Sequence, residues 1–98
     1  MLFMVRFTDR PDRAEVRAKF LDAHMAWLEA HREAIRLGGP LRVEPESVPA
    51  GAMWLVEADS REAAAALFAD DPFWVNGLRA GVEILQWRKA VPNGPATL

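Results

Sequence analysis

The sequence predicts an α+β fold in which two helices cover one face of a four-stranded antiparallel sheet. Segments rich in Phe, Met, Val and Trp alternate with two helical segments, in the order strand, helix, strand, strand, helix, strand. The two middle strands are joined by a polar connection, as in a hairpin, and 98 residues support one hydrophobic core. This order is that of the ferredoxin-like βαββαβ fold, in a single domain over residues 1–98 with an irregular tail from about residue 90.

The first half of the chain predicts a strand and then the longest helix. The strand runs over 2–8, and Thr8 or Asp9 is a residue type that caps a following helix. A helical pattern extends from Asp12 to Arg36, where Gly38-Gly39-Pro40 is expected to stop it.

The second half predicts a hairpin, a shorter helix and a last strand. Strands are expected over 41–44 and 52–58, with an irregular loop between them. Ser60 is a suitable cap for an alanine-rich helix, which Asp70-Asp71-Pro72 should end because a residue before proline is disfavoured in the α region. The last strand is expected over 82–89.

Both histidines lie on the apolar stripe of the long helix. At 100° per residue, this stripe comprises Val16, Phe20, Ala23, His24, Trp27, Leu28, His31 and Ile35. An imidazole in an apolar wall loses about 1–3 kcal/mol unless its nitrogens find polar partners. Asp71, beside the proline turn, is the preferred partner of His24, although the spacing leaves its neighbour Asp70 as an alternative.

Two interpretations of this pair remain open from the residues. A histidine held by a carboxylate has a fixed tautomer, and its free nitrogen exchanges a proton with a substrate near neutral pH. His24 and Asp71 are therefore candidate catalytic residues. In the structural interpretation, His24 is a satisfied core residue and Asp71 caps its own turn.

The candidate substrate-binding residues are Arg6, Phe73 and Trp74. Arg6 interrupts an apolar strand, where it either clamps an anionic substrate or pairs with a carboxylate at an interface. Phe73 and Trp74 follow Asp71 directly and offer flat apolar walls for a ring.

The apolar content indicates that the chain associates with a second copy of itself. Hydrophobic residues make up 51% of the chain and four are Trp, which is more than one small core easily hides. Large apolar groups occupy both alternation sets of the strands, while the helices cover one face only. We expect a homodimer that packs sheet against sheet as a dimeric α/β barrel.

Composition also excludes several classes of function. A net charge of -2 and a pI near 5.6, with scattered arginines, argue against nucleic-acid or membrane partners, so a small-molecule ligand is expected. The absence of cysteine and the separation of His24 and His31 by two helical turns, about 10 Å, predict no metal site. We expect no cofactor and a cytoplasmic location.

The chain resembles the YCII-related family of small dimeric ferredoxin-like α/β-barrel proteins. The resemblance covers essentially the whole chain. It is carried by the opening strand 1–5, the helical segment 22–28 around His24, the turn 38–41, the Glu62-Ala63 helix start, and Ala69-Asp70-Asp71-Pro72-Phe73 ahead of Gly77-Leu78.

This resemblance implies an active site formed by a histidine and an aspartate, which here correspond to His24 and Asp71. One related member is a dehydrochlorinase of a chlorinated hydroxyquinol-type aromatic, an elimination that needs no organic cofactor. The first functional hypothesis is therefore a cofactor-free lyase or isomerase acting on a small cyclic or aromatic substrate. The second is a non-catalytic dimeric module that binds a small ligand or a protein, because fold alone does not determine chemistry.

Overall fold

The computed structural model describes residues 1–91 of the chain, and within them it confirms the α+β ferredoxin-like class. The elements in chain order are β1 (Leu2–Asp9), α1 (Ala14–Ala30), β2 (Ile35–Leu41), β3 (Gly51–Glu57), α2 (Arg61–Leu67), α3 (Pro72–Val75) and β4 (Arg79–Gln86). The predicted irregular tail lies outside the described residues from position 92 onward. No helix within residues 1–91 has both the length and the apolar composition needed to cross a bilayer.

The four strands form one antiparallel sheet in the order β2-β3-β1-β4. This order places β1 and β3 in the centre and β2 and β4 at the edges. Because side chains alternate along a strand, the register assigns every strand residue to one of two faces. The covered face packs against the helices, and the open face lies on the other side of the sheet.

The covered face carries the hydrophobic core. Val5 on β1 pairs with Trp54 on β3 and with Ile84 on β4, and all three side chains are buried. Trp54 lies against Phe7 edge to face, at 4.7 Å between ring centroids, and stacks on Trp27 of α1 at 5.6 Å. The aromatic groups of the sheet and of α1 therefore form a continuous core.

An apolar row crosses the open face. Met4 on β1 pairs with Leu55 on β3 and Leu85 on β4, while Leu55 also pairs with Leu37 on β2. Leu37 is 61% exposed and Leu85 is 55% exposed. No element within the described residues is interposed over these two side chains.

The predicted boundary between the long helix and the second strand was wrong. The helix ends at Ala30 rather than near Arg36, and β2 occupies 35–41 rather than 41–44. Ile35 therefore lies in the sheet, buried opposite Val56, and not on the helical stripe. Gly38-Gly39-Pro40 belongs to β2 because an edge strand tolerates a proline that cannot donate to the ladder.

The predicted start of the helix was also wrong. The N-cap of α1 is Arg13, which makes no side-chain capping hydrogen bond, and the helix begins at Ala14 rather than Asp12. Asp9 remains in β1 with a buried side chain, where its carboxylate has other partners. The last strand begins at Arg79, three residues before the predicted Val82, because Arg79 pairs with Asp9 across the sheet.

Candidate active site

Two helices present a histidine and an aspartate to each other beneath the covered face. His24 lies on the inner side of α1 and is 6% exposed. Asp71 is the N-cap of α3, where its Oδ1 accepts a hydrogen bond from the backbone N–H of Phe73 at 3.1 Å. The same Oδ1 lies 2.7 Å from Nδ1 of His24, and the carboxylate is fully buried. The structure thus brings these two predicted residues together.

The chemistry of the partners determines the histidine tautomer. An ionised carboxylate only accepts hydrogen bonds, so the proton of a neutral His24 ring is on Nδ1. This leaves the lone pair on Nε2, for which no hydrogen-bond partner is present within residues 1–91. Oδ2 of Asp71 is buried and also lacks a partner among these residues. The pair therefore has one ring nitrogen with a free lone pair and one carboxylate oxygen without a hydrogen-bond donor among these residues.

The two neighbouring acidic residues have different partners. Asp70 accepts a hydrogen bond from Nε1 of Trp27 at 3.0 Å, and Asp71 pairs with His24. The alternative that sequence spacing left open is therefore resolved in favour of Asp71. Asp71 also caps its own turn, so the structural interpretation of that residue describes a second contact rather than a competing one.

Phe73 orients the imidazole of His24. Its ring stacks on the histidine at 3.9 Å between centroids with an interplanar angle of 12°, and it is buried. Because Phe73 and the carboxylate of Asp71 both belong to the start of α3, one short helix fixes both the ring plane and the hydrogen bond of His24.

A second buried polar cluster, which the sequence analysis missed, lies beside Phe73. Asp9 accepts hydrogen bonds from Nη2 of Arg17 at 2.5 Å and from Nη1 of Arg79 at 2.6 Å. Both guanidinium groups also lie over the Phe73 ring, at 5.2 and 5.3 Å from its centroid. Two signals were available in the sequence: alternation along β1 turns Asp9 toward the covered face, and Arg17 lies two helical turns before His24.

A cavity of about 380 Å³ opens next to this cluster. It lies between the end of β1, the start of α1 and the segment that enters β3. Its lining includes Asp9 and Arg17 but neither His24 nor Asp71; the other lining residues are Thr8, Arg10, Pro11, Arg13, Ala14, Val48, Pro49, Ala50 and Leu78.

The remaining predicted site residues lie farther from the dyad. Arg6 lies on the open face, where Nε is 3.1 Å from a carboxylate oxygen of Glu83, so the structure does not bring it to His24. Trp74 is 36% exposed and packs against Phe68 at 4.8 Å between centroids.

His31 ends α1 and donates a hydrogen bond from Nδ1 to the carbonyl oxygen of Trp27 at 2.7 Å. Within residues 1–91, no three His, Cys, Asp or Glu side chains cluster as metal ligands.

A family model for the YCII-related domain matches residues 1–88. The chain belongs to the YCII-related family. A search of curated protein sequences finds no match.

Solved structures share the fold of this YCII-related chain. One is 5-chloro-2-hydroxyhydroquinone dehydrochlorinase (TftG) from Burkholderia phenoliruptrix AC1100, in complex with 2,5-dihydroxybenzoquinone. It is 30% identical, with a TM-score of 0.80, over 90% of this chain and 94% of that one. Another is an uncharacterized NIPSNAP domain protein from Burkholderia xenovorans, 16% identical with a TM-score of 0.50, over 98% of this chain and all of that one. At this low identity, the second match shows that the fold is shared and nothing more.

Proposed function

We propose that this chain is a cofactor-free acid–base enzyme in which His24 transfers a proton and Asp71 orients it. The observation that carries the proposal is the 2.7 Å contact between Nδ1 of His24 and Oδ1 of Asp71, made by groups that are both buried. A buried polar pair needs support from its surroundings, and here α3 supplies it through the cap hydrogen bond and the Phe73 stack. The site is therefore organised before a substrate arrives.

The proposed reaction is an elimination or a tautomerisation. Nε2 of His24 accepts a proton from a carbon or hydroxyl of the substrate, and the electron pair of the broken bond forms a new double bond. In an elimination the leaving group departs as an anion with the electron pair of its own bond, and His24 then releases its proton to water; in a tautomerisation the proton returns to another substrate atom. Asp71 stabilises the imidazolium formed in between, as the carboxylate does in a hydrolase triad. A general base of this kind contributes about 10²- to 10⁴-fold to a rate.

The proposed substrate is a small cyclic or aromatic compound with acidic hydroxyl groups. The similar dehydrochlorinase is named for a chlorinated hydroxyhydroquinone and was solved with a dihydroxybenzoquinone. A ring with hydroxyl substituents supplies both a proton of suitable acidity and conjugation that accepts the electron pair. Phe73 provides aromatic surface against the dyad, whereas Trp74, the next residue, packs on Phe68.

The proposal includes a homodimer joined through the open faces of two sheets. It is supported by the apolar row from Leu37 to Leu85 and by Trp87, which directly follows β4 and is 51% exposed. The row is apolar across all four strands and exposed at its two ends, and an exposed apolar patch of this kind is typical of an association surface. Two copies related by a two-fold axis would cover each other with the same row.

The experiment compares three variants on a panel of hydroxylated and chlorinated hydroquinones, quinones and phenolic acids. Turnover is followed by ultraviolet absorbance and by chloride release. His24→Ala should lower turnover by about 10²-fold or more, because it removes the proton acceptor. Asp71→Asn should lower it by about tenfold or more, because it removes the charge that stabilises the imidazolium.

Asp70→Asn is the matched control, since it changes the adjacent carboxylate, which contacts Trp27 instead. It should retain turnover close to that of the parent chain. Unchanged turnover in both His24→Ala and Asp71→Asn would end the proposal. Saturable ligand binding with no turnover of any panel compound would favour the alternative, a non-catalytic dimeric binding module.

A further inference from the structure

The lining of the 380 Å³ cavity is unusually rich in cations for this chain. Its lining includes three arginines, Arg10, Arg13 and Arg17, and a single acidic residue, Asp9. The cavity lining therefore has a positive net charge, whereas the whole chain has a net charge of -2. A cleft lined by one sign of charge concentrates small ions of the opposite sign.

Both oxygens of the one carboxylate that lines the cavity already accept a hydrogen bond from an arginine. Asp9 accepts one hydrogen bond from Arg17 at Oδ2 and another from Arg79 at Oδ1. Among residues 1–91, Arg10 and Arg13 have no ion-pair partner, and the buried Nε of Arg79 has no acceptor. The cluster therefore holds more donors than acceptors, which is the opposite of a neutral structural network.

The other lining residues indicate which kind of ligand fits the cavity. Ala14 at the start of the 17-residue helix α1 lines the cavity, and the N-cap of that helix has no side-chain capping bond. Unpaired N–H groups at such an end add partial positive charge. Val48, Pro49 and Leu78 form apolar wall. A volume of this size lies in the range of small-molecule sites.

We propose that this cavity binds the anionic group of a small ring compound, a carboxylate or an ionised phenol, through Arg13 and Arg17. The inference does not depend on the proposed function, because neither His24 nor Asp71 lines the cavity. The link between the two sites is Phe73, whose ring contacts both the Arg17 guanidinium and the His24 imidazole. The anion clamp, which was one of two alternatives for Arg6, is thus assigned to arginines on the covered side, and Arg6 itself pairs with Glu83.

The test uses benzoate and benzamide, which have nearly the same shape but differ in charge. Binding to the full chain is measured by calorimetry in low salt. Benzoate should bind about tenfold more tightly than benzamide, because hydrogen bonds between two charged partners are stronger than those with a neutral acceptor. Added sodium chloride should weaken benzoate binding and leave benzamide binding unchanged.

Four variants locate the site. Arg13→Gln and Arg17→Gln should each lower benzoate affinity by about fivefold to tenfold with little effect on benzamide. Arg36→Gln, which removes an exposed arginine of β2, should have no effect. Arg13 is exposed and unpaired among the described residues, so its variant keeps the test decisive if Arg17→Gln fails to fold. His24→Ala should retain the preference for benzoate.

The outcomes separate this inference from the proposed function. No benzoate binding at millimolar concentration, no preference over benzamide, or a preference that survives both arginine variants overturns the anion site. Loss of the preference in His24→Ala would also overturn it, because the anion would then bind at the dyad. If the arginine variants lose the preference while the dyad variants keep full turnover, the anion site stands and the proposed function fails.

Discussion

The two faces of the sheet have similar apolar composition but different surroundings. On the covered face, the row through Trp54, Val5 and Ile84 is sealed by α1 and α2, and both buried polar clusters lie on that side. On the open face, the row from Leu37 to Leu85 has exposed ends. Apolar alternation alone does not distinguish a face that builds a core from one that is left for association, since both require the same residue types.

Polar groups sharpen the contrast. The covered face holds the His24–Asp71 contact and the Arg17–Asp9–Arg79 cluster, all with buried carboxylates. The open face, in contrast, carries the ion pair of Arg6 with Glu83, whose side chains are more than half exposed. Charges that must be desolvated are thus held where several hydrogen bonds compensate them, and the surface pair contributes little to stability.

The largest expected difference between the faces is the effect of removing a tryptophan. Trp54→Ala should lower the free energy of unfolding by about 3–5 kcal/mol, because Trp54 is 1% exposed and contacts Phe7, Trp27 and Phe68. Trp87→Ala, on the open side, should lower it by less than about 1 kcal/mol at protein concentrations low enough to keep the chain monomeric. Urea unfolding of both variants measures the two effects. Similar losses would mean that both faces are equally packed in the single chain.

Much of the fold could be predicted from sequence because periodicity is local. The strand at 2–8, the Ser60 cap and the turn before Pro72 were all recognised, and Ser60 does accept a hydrogen bond from Ala63 N–H. The boundary between α1 and β2 failed because Gly-Gly-Pro is also compatible with an edge strand. That strand takes glycine at position 38 for a reason visible only in three dimensions, the proximity of Trp54.

The candidate site also has one part that the sequence predicted and one part that it did not. The pairing of His24 with an acidic residue near 71 followed from one imidazole on an apolar stripe and from the family resemblance. For the Arg17–Asp9–Arg79 cluster, the sequence indicates the inward positions of Asp9 and Arg17 but not the third member, because only the sheet register brings Arg79 opposite Asp9. The residues around Asp9 predicted that it caps α1, but its carboxylate instead binds Arg17 and Arg79.

An intermediate effect is expected from adding a methyl group to the two adjacent glycines of β2. A Cβ on Gly38 would lie 2.8 Å from Cδ1 of Trp54, whereas a Cβ on Gly39 meets no atom within 4 Å. Gly38→Ala should therefore destabilise the chain by about 1–3 kcal/mol through overpacking. Gly39→Ala should be neutral or stabilise by up to about 1 kcal/mol, because it restricts the unfolded chain. Equal midpoints of urea unfolding for the two variants would contradict the assignment of Gly38 to the covered face.

The smallest effect on the folded chain, and the sharpest test of the open face, comes from Leu85→Glu. A charge at this exposed position should leave the circular dichroism spectrum and the monomer's unfolding free energy nearly unchanged. It should weaken self-association by about tenfold or more, because a two-fold axis would bring like charges from both copies into one interface. Sedimentation equilibrium measures this dissociation constant.

Met25→Glu provides the matched control for Leu85→Glu. Met25 is also 55% exposed, but it lies on α1 rather than on the sheet. If the two variants weaken association equally, general surface hydrophobicity rather than the open face holds the copies together. If neither does so and the parent chain is monomeric, the row from Leu37 to Leu85 must serve another partner, and the dimer is removed from the proposal. Selective loss with Leu85→Glu would instead show that two apolar faces of one sheet have separate tasks, one building the core and the other joining two chains.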